Sequence, residues 1–177
     1  RTDAEAAPAD DSIRVAAALD SALAEFREGL PVVTALAGGE ADRDALVRRF
    51  VRAVEARDAD DLRAMVMDRA EFAYLYYPTS PYTRRPTRQE APLAWFIQLE
   101  NSQKGASRVL GRYGGRALHA AGYQCDAEPV ASGENRLWSN CVLRLAPPGQ
   151  DTTEIRLFGG IIEREGRYKL FSYTNDL

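Results

Sequence analysis

Residues 71–115 read EFAYLYYPTSPYTRRPTRQEAPLAWFIQLENSQKGASRVLGRYGG, and they hold a tyrosine-rich segment, a loop of prolines and arginines, and a long helical pattern. The segment Glu71–Tyr77 is apolar at nearly every position and alternates as an extended chain would. One side would carry Phe72, Tyr74 and Tyr76, and the other would carry Ala73, Leu75 and Tyr77. Because aromatic residues favour strands, the segment is predicted to be a buried strand that ends at Pro78.

A long helix is predicted from Gln89 or Glu90 to Tyr113. It tolerates Pro92 in its first turn, and Gly114-Gly115 ends it. At helical spacing its apolar side consists of Leu93, Phe96, Ile97 and Leu110. This helix is expected to pack on the rest of the domain.

Glu100 falls among the apolar residues of that helix. Burial of a carboxylate costs several kcal/mol unless it is paired or protonated, so an inward-facing Glu100 is a candidate functional residue. The alternative is a rotated helix with Glu100 at its edge. In that case the packing residues are Trp95, Leu99, Ala106 and Val109.

The overall composition fits a single globular domain. The chain has 177 residues, 45% hydrophobic content and a formal charge of −3. A mildly acidic chain does not favour nucleic acid, which requires a clustered basic face. The one basic cluster, Arg84, Arg85 and Arg88, lies in the proline-rich loop. It is interpreted as a solvated loop, with a phosphate or carboxylate contact as the alternative.

The N-terminal sequence predicts a flexible polar tail over residues 1–10, followed by a single α+β domain over residues 11–177. The opening RTDAEAAPADD is typical of the tether that remains after a signal or lipoprotein anchor, so we expect an extracytoplasmic location: periplasmic, secreted or lipid-anchored. A shortened cytosolic protein is the alternative. No apolar run approaches the roughly 20 residues that span a bilayer.

Three helices are predicted before the tyrosine-rich segment. The first runs from Asp10 or Asp11 to about Glu28, and the second from Asp42 to Arg57. A short third helix begins at Asp58 or Asp60. The last third of the chain is predicted to be an antiparallel meander of four strands. Their approximate bounds are Ala117–Asp126, Asn135–Leu145, Thr153–Glu163 and Arg167–Thr174.

The register of the meander predicts a disulfide. A first hairpin centred on Gly133 places Cys125 directly opposite Cys141, and directly opposite residues lie within disulfide range. Closing a loop of this size would stabilise the fold by roughly 3 kcal/mol. The same approach pairs Leu143 with Ile155, Leu137 with Ile161, and Ile161 with Leu170.

This register also divides the sheet into two faces. The inner face is uncharged in the strand centres and is expected to lie under the helices. The outer face mixes aromatic and charged residues, which is typical of a partly covered surface. It is predicted to be the partner face of a homodimer or another chain, with the chain's own N-terminal helix or tail as the alternative cover. Its proposed contact residues are Trp138, Asn140, Phe158, Phe171 and Tyr173.

The order of elements carries a resemblance to a known superfamily. The phrase DALVRRFVRAVEARDADDLRAMVMDRAEF and the closing strands LFGGIIEREGRYKLFSYT resemble the nuclear transport factor two-like, or cystatin-like, superfamily. This resemblance implies a cone-shaped fold, in which helices pack on a curved antiparallel sheet and a pocket lies in the cone. The implied ligand-pocket residues are Tyr74, Tyr76, Phe96, Glu100, Tyr123, Ser139 and Ser172.

Two functional hypotheses follow. The first is a non-catalytic extracytoplasmic bacterial-type domain that binds a small apolar ligand or a protein partner. The second is an enzyme of the isomerase, dehydratase or cyclase kind, in which Glu100 is the general acid/base and Tyr74 or Tyr76 donates a hydrogen bond. No metal site and no cofactor are predicted, because the sequence has no CxxC motif, no Cys/His cluster and a single histidine, His119.

Overall fold

The computed structural model describes residues 7–177, with side chains from Ser12 onward, and has an α+β fold as predicted. The predicted tail over residues 1–10 lies largely outside the described residues, and α1 begins at Ala7. The α-helices of the described chain are α1 (Ala7–Arg27), α2 (Arg43–Glu55), α3 (Ala59–Met65), α4 (Arg69–Glu71) and α5 (Ala91–Tyr113). The strands are β1 (Ala120–Gln124), β2 (Val130–Ser132), β3 (Asn135–Trp138), β4 (Val142–Leu145), β5 (Thr153–Ile155), β6 (Gly160–Arg164) and β7 (Arg167–Ser172).

The tyrosine-rich segment is helical, so the predicted strand over Glu71–Tyr77 is wrong. Asp68 caps α4, and its side chain and that of Glu71 form a reciprocal capping box. The helix then continues through a π-helical turn, Phe72–Tyr76, into a short 3₁₀ turn, Tyr77–Thr79. A segment that is buried on all sides is apolar all round, and such a run does not distinguish a strand from a buried helix.

The predicted meander is present, but its second and third strands are each broken in the middle, and its first strand ends at Gln124 and is followed by an additional strand, β2. The breaks fall at residues 125–129, 139–141 and 156–159, and they divide the strands into two antiparallel sheets. One sheet has the order β1-β4-β5, and the other has the order β2-β3-β6-β7. We call these three interruptions, residues 125–129, 139–141 and 156–159, together the kink.

Polar contacts and the predicted disulfide hold the kink together. Cys125 and Cys141 are bonded, with their Cα atoms 3.9 Å apart, so the disulfide prediction is confirmed. The side-chain amide of Asn140 donates to both carboxylate oxygens of Asp126, at 2.9 and 3.1 Å. Arg156 donates in turn to Asn140 at 3.2 Å. The kink is therefore a structured corner of the sheet.

The kink changes the register by one residue. In the β1-β4-β5 sheet, Leu143 pairs with Ile155, as predicted. In the β2-β3-β6-β7 sheet, Leu137 pairs with Ile162, whereas the sequence predicted that it pairs with Ile161. Asn140 has a φ of 52°, a left-handed conformation that departs from the strand path. Because a shift of one residue moves every side chain to the opposite face, the predicted faces are exchanged on β3.

Two hydrophobic cores lie on either side of the β2-β3-β6-β7 sheet. The main core joins α2, α3 and the second half of α5 to the strands, and it includes Phe50, Leu62, Val109, Ile161 and Leu170. The second core, which we call the tyrosine core, joins the end of α1 to the tyrosine-rich segment and the start of α5. It includes Phe26, Phe72, Tyr76, Ala94 and Ile162.

The predicted partner face is therefore largely buried within the chain itself, which corrects that assignment. Trp138, Phe158 and Tyr173 are buried in the main core. The ring of Phe171 packs edge-on against Tyr76, with ring centroids 4.9 Å apart. Asn140 is exposed at the kink. The tyrosine-rich segment covers the second side of the sheet, and α1 packs on that segment, with the ring centroids of Phe26 and Phe72 6.2 Å apart. The chain thus covers this face itself, where the alternative named the N-terminal helix or tail.

Candidate functional site

A groove of about 560 Å³ lies between α2 and β1. Its floor is apolar, with Val47 and Val51 from the helix and Ala120 and Gly122 from the strand. The main apolar side of α2 faces the main core, and these two valines lie at the margin of that side, next to β1. A volume of this size lies within the range of small-molecule sites.

The strand wall of the groove has little side-chain bulk. The pairing of β1 with β4 is irregular between Ala120 and Gly122, and Gly122 has a φ of 146°, which favours glycine. A Cβ atom at Gly122 would meet only a side-chain nitrogen of Arg144, at 3.7 Å. The backbone of β1 is therefore open to close approach by a ligand.

Two arginines line the rim of the groove. Arg48 and Arg52 are exposed, lie one helical turn apart, and form no ion pair with any side chain described from Ser12 to Leu177. Arg49, between them in sequence, points elsewhere and pairs with Glu40 and Asp61. The rim can therefore bind an anionic group, most favourably where a ligand partly displaces water.

At the other end of the groove, a hydrogen bond joins the strand to the helix. The Tyr123 hydroxyl donates to a carboxylate oxygen of Asp44 at 2.8 Å. Burial, together with the hydrogen bond to Asp44, raises the pKa of Tyr123 to about 12. The phenol therefore keeps its proton at neutral pH and remains a donor.

The groove continues past this hydrogen bond toward the disulfide. A second hollow of about 280 Å³ shares Asp44 and Tyr123 with the first, and Gln124, Cys125 and Asp126 line it further along. Ligands of different length could thus follow β1 from Ala120 as far as the kink.

The predicted ligand-pocket residues are not brought together in one cavity. Tyr123 alone among them lines the groove, while Tyr74 and Tyr76 belong to the tyrosine core. Burial raises the pKa of Tyr76 above its ordinary value. Ser172 is buried beside Thr174, and Ser139 is exposed at the kink. The predicted cone pocket does not gather these side chains because the tyrosine-rich segment is a helix behind the sheet.

The long helix matches its predicted bounds but is rotated relative to the predicted apolar side. Leu93, Phe96 and Ile97 are 52%, 59% and 41% exposed. Glu100 is 41% exposed and forms an ion pair with Lys104 at 3.2 Å. A carboxylate in this setting is not desolvated, so it lacks the environment that the general acid/base hypothesis requires. The small residues Ala94, Ser102 and Gly105 face the interior instead.

The groove residues on α2 and a buried ion pair were not predicted from the sequence. The ammonium group of Lys169 contacts both carboxylate oxygens of Glu71, at 2.8 and 3.0 Å, and both side chains are almost fully buried. The backbone amides of Ala37 and Asp68 also donate to Glu71. Because every contact is internal and no groove residue is involved, we interpret this pair as structural.

Comparison with known proteins found no match to this chain among protein-family models, curated proteins or solved structures. Within residues 7–177, no helix is both long enough and apolar enough to cross a membrane. The same part of the chain contains no group of three or more His, Cys, Asp or Glu side chains arranged to hold a metal ion.

Proposed function

We propose that this chain is a non-catalytic binding domain and that the groove between α2 and β1 receives the apolar part of its ligand. One observation carries the proposal: an open groove with a valine floor lies beside two arginines that have no anionic partner in the described chain. An apolar floor with a few polar groups at the rim is typical of binding sites.

An extracytoplasmic location is part of the proposal. The bond between Cys125 and Cys141 supports it, because disulfides persist chiefly in oxidising compartments. The cone-shaped, nuclear transport factor two-like fold is proposed as well. It is supported by the order of elements, in which helices precede a strongly bent antiparallel meander, and it implies no activity by itself.

Titration with 1-anilinonaphthalene-8-sulfonate tests the site, because this fluorescent probe joins apolar rings to one anionic sulfonate. We expect Val51→Asp and Arg52→Glu each to weaken binding about tenfold, since each introduces a charge that opposes the probe. The control is Phe96→Asp, which alters the exposed apolar surface of α5. We expect this control variant to bind as the wild type does.

The variants also define the contrary result. If Phe96→Asp abolishes probe fluorescence while both groove variants retain wild-type affinity, the ligand site is not the groove. Arg52 is exposed on the helix surface, so its variant tests the site even if the valine substitution impairs folding. Far-ultraviolet circular dichroism checks that each variant is folded.

A further inference from the structure

We infer that the occupant of the groove is an extended peptide of a partner protein, which pairs with the free edge of β1 and places an acidic side chain against Arg48 and Arg52. This inference rests on the proposed function and narrows it to one class of ligand. Addition of a peptide strand to a sheet edge takes its affinity from backbone hydrogen bonds and its selectivity from the neighbouring side chains.

The edge of β1 is open within the described chain. This strand pairs with β4 on one side and with no strand of residues 7–177 on the other. The edge of β7, in contrast, is paired with other parts of the chain. Glu40 and Val66 form single bridges to β7, and the Met67 backbone amide donates to the Leu170 carbonyl at 2.9 Å. The chain thus covers the β7 edge with its own backbone and leaves the β1 edge beside a groove.

The dimensions and lining of the groove suit an extended chain. A strand rises about 3.3 Å per residue, so a segment of about five residues matches the length of β1. Ala120 and Gly122 allow the peptide backbone to approach closely. Alternate side chains of the peptide would then point toward Val47 and Val51. A helix and an edge strand therefore supply the two contacts that such a peptide requires.

Charge determines the chemistry and the placement of the peptide. Like charges four residues apart on a helix repel one another, and no acidic side chain of the described residues pairs with Arg48 or Arg52. A carboxylate on the peptide would relieve this repulsion. Asp44 lies at the opposite end of the groove, beside Tyr123, and disfavours an anion there. The acidic residue is thus placed near Arg52 and Ala120.

A small anionic amphiphile could satisfy the valines and the arginines but would leave the backbone groups of the β1 edge to water. A peptide pairs those groups as well, so it uses all three features of the site. This difference in backbone pairing separates the two ligands experimentally.

The test begins with a phage-displayed library of random octapeptides selected on the full chain. The peptide with the most enriched sequence is then synthesised, and its affinity is measured by calorimetry. We expect enriched sequences to alternate apolar residues and to contain Asp or Glu. Methylation of alternate backbone nitrogens of that peptide is expected to weaken binding at least tenfold, because it removes backbone donors and leaves the side chains unchanged.

Charge reversal at the rim provides the matched protein variants. We expect Arg48→Glu with Arg52→Glu to abolish binding of the selected peptide, whereas Arg84→Glu with Arg85→Glu, which reverses two exposed arginines in a distant loop, should leave it unchanged. Enrichment without acidic residues, or equal binding of the methylated peptide, overturns the inference. Sodium decanoate and the sulfonate probe separate a failure of the peptide inference from a failure of the proposed function. If these two small anions bind in the groove and the peptides do not, only the peptide inference fails. If none of the ligands binds there, the proposed function fails too.

Discussion

Glu71 and Lys169 show how one pair of residues links distant parts of this fold. Glu71 ends α4 and Lys169 lies in the middle of β7, and their side chains meet where both are almost fully buried. Glu71 also accepts hydrogen bonds from two backbone amides. Removal of one partner from a buried ion pair leaves an uncompensated charge, which costs far more than the intact pair contributes.

Lys169→Met is therefore expected to destabilise the protein by about 3–5 kcal/mol. The charge of Glu71 would remain buried without its partner, while the methionine fills a similar volume. Urea unfolding followed by circular dichroism measures the change. Lys104→Met is the control, because Lys104 is exposed and its ion pair with Glu100 is at the surface. The structural interpretation is contradicted if both substitutions have equal, small effects.

The helix α5 contains two glycines, one in a crowded position and one in an open position. Gly105 faces the end of β7, where a Cβ atom would overlap the backbone carbonyl of Tyr173. The Asn175 side chain also donates to the Gly105 carbonyl at 2.9 Å. Gly111 lies on the same helix, and apart from the adjacent residues and the backbone of the helix itself, no heavy atom lies within 4 Å of the position of a Cβ. The helix thus approaches the strand closely at one glycine and is free at the other.

Gly105→Ala is expected to destabilise the fold by about 1–3 kcal/mol, because the backbones must separate. Gly111→Ala is expected to stabilise it by about 0.5–1 kcal/mol, because alanine has the higher helix propensity. Thermal unfolding of the two variants measures both effects. Equal changes in melting temperature would show that α5 does not contact the strand at Gly105.

The elements were predictable where the pattern of the sequence has one period and one buried face. The helix α2 and the turn at Gly133 follow from such patterns. The bounds of α5 were also predictable, but its buried face was not, because Ala94, Ser102 and Gly105 face the interior where the pattern placed Leu93, Phe96 and Ile97. The conformation of the tyrosine-rich segment was not predictable, because the segment is buried all round and its apolar run fits both a strand and a buried helix. The pairing of Cys125 with Cys141 was predictable from the register between β1 and β4, which is regular from Gly122 to Gln124. The register between β3 and β6 was not predictable, because Asn140 leaves the strand path.

The disulfide contributes to the stability of the whole molecule. Its two cysteines are 16 positions apart, and a loop of this length is expected to stabilise the fold by about 3 kcal/mol. Reduction, or Cys125→Ala with Cys141→Ala, should lower the free energy of unfolding by that amount and leave the β4 pairings in place. Urea unfolding with and without reductant measures it. Unchanged stability after complete reduction, verified by thiol titration, would contradict this expectation.

The buried tyrosines predict a loss of stability at alkaline pH. Burial raises the pKa of Tyr76 and Tyr173 above the ordinary value and that of Tyr123 to about 12. The folded state therefore retains phenol protons that the unfolded chain loses near pH 10. This stabilisation is complete below pH 10 and is lost as the pH rises from there toward 12.

Unfolding in urea at pH 7, 9 and 10.5 checks this dependence. The free energy of unfolding should be similar at the first two values and lower at the third. Tyr173→Phe should reduce the dependence, since this variant removes one of the buried phenols. A free energy of unfolding that stays constant to pH 10.5 would show that the phenols are not protected in the folded state.

The groove itself could not be predicted from the sequence. Its residues are ordinary when read along the chain, where Val47 and Val51 continue an apolar face and Arg48 and Arg52 point toward water. They become a site only because β1 is an edge strand that lies beside α2, which depends on the pairing order of the whole sheet. Tyr123 was predicted to line the cone pocket, and it lies instead at the groove, beside Asp44 of α2.

Nuclear magnetic resonance shows which residues a bound probe contacts, and it therefore tests whether ligands bind between α2 and β1. We would titrate 1-anilinonaphthalene-8-sulfonate into the ¹⁵N-labelled chain and follow the backbone amide shifts. We expect the largest changes at Val47, Val51, Gly122 and Tyr123. If the changes are confined to residues 93–97 of α5 and the groove amides do not shift, the probe does not bind in the groove.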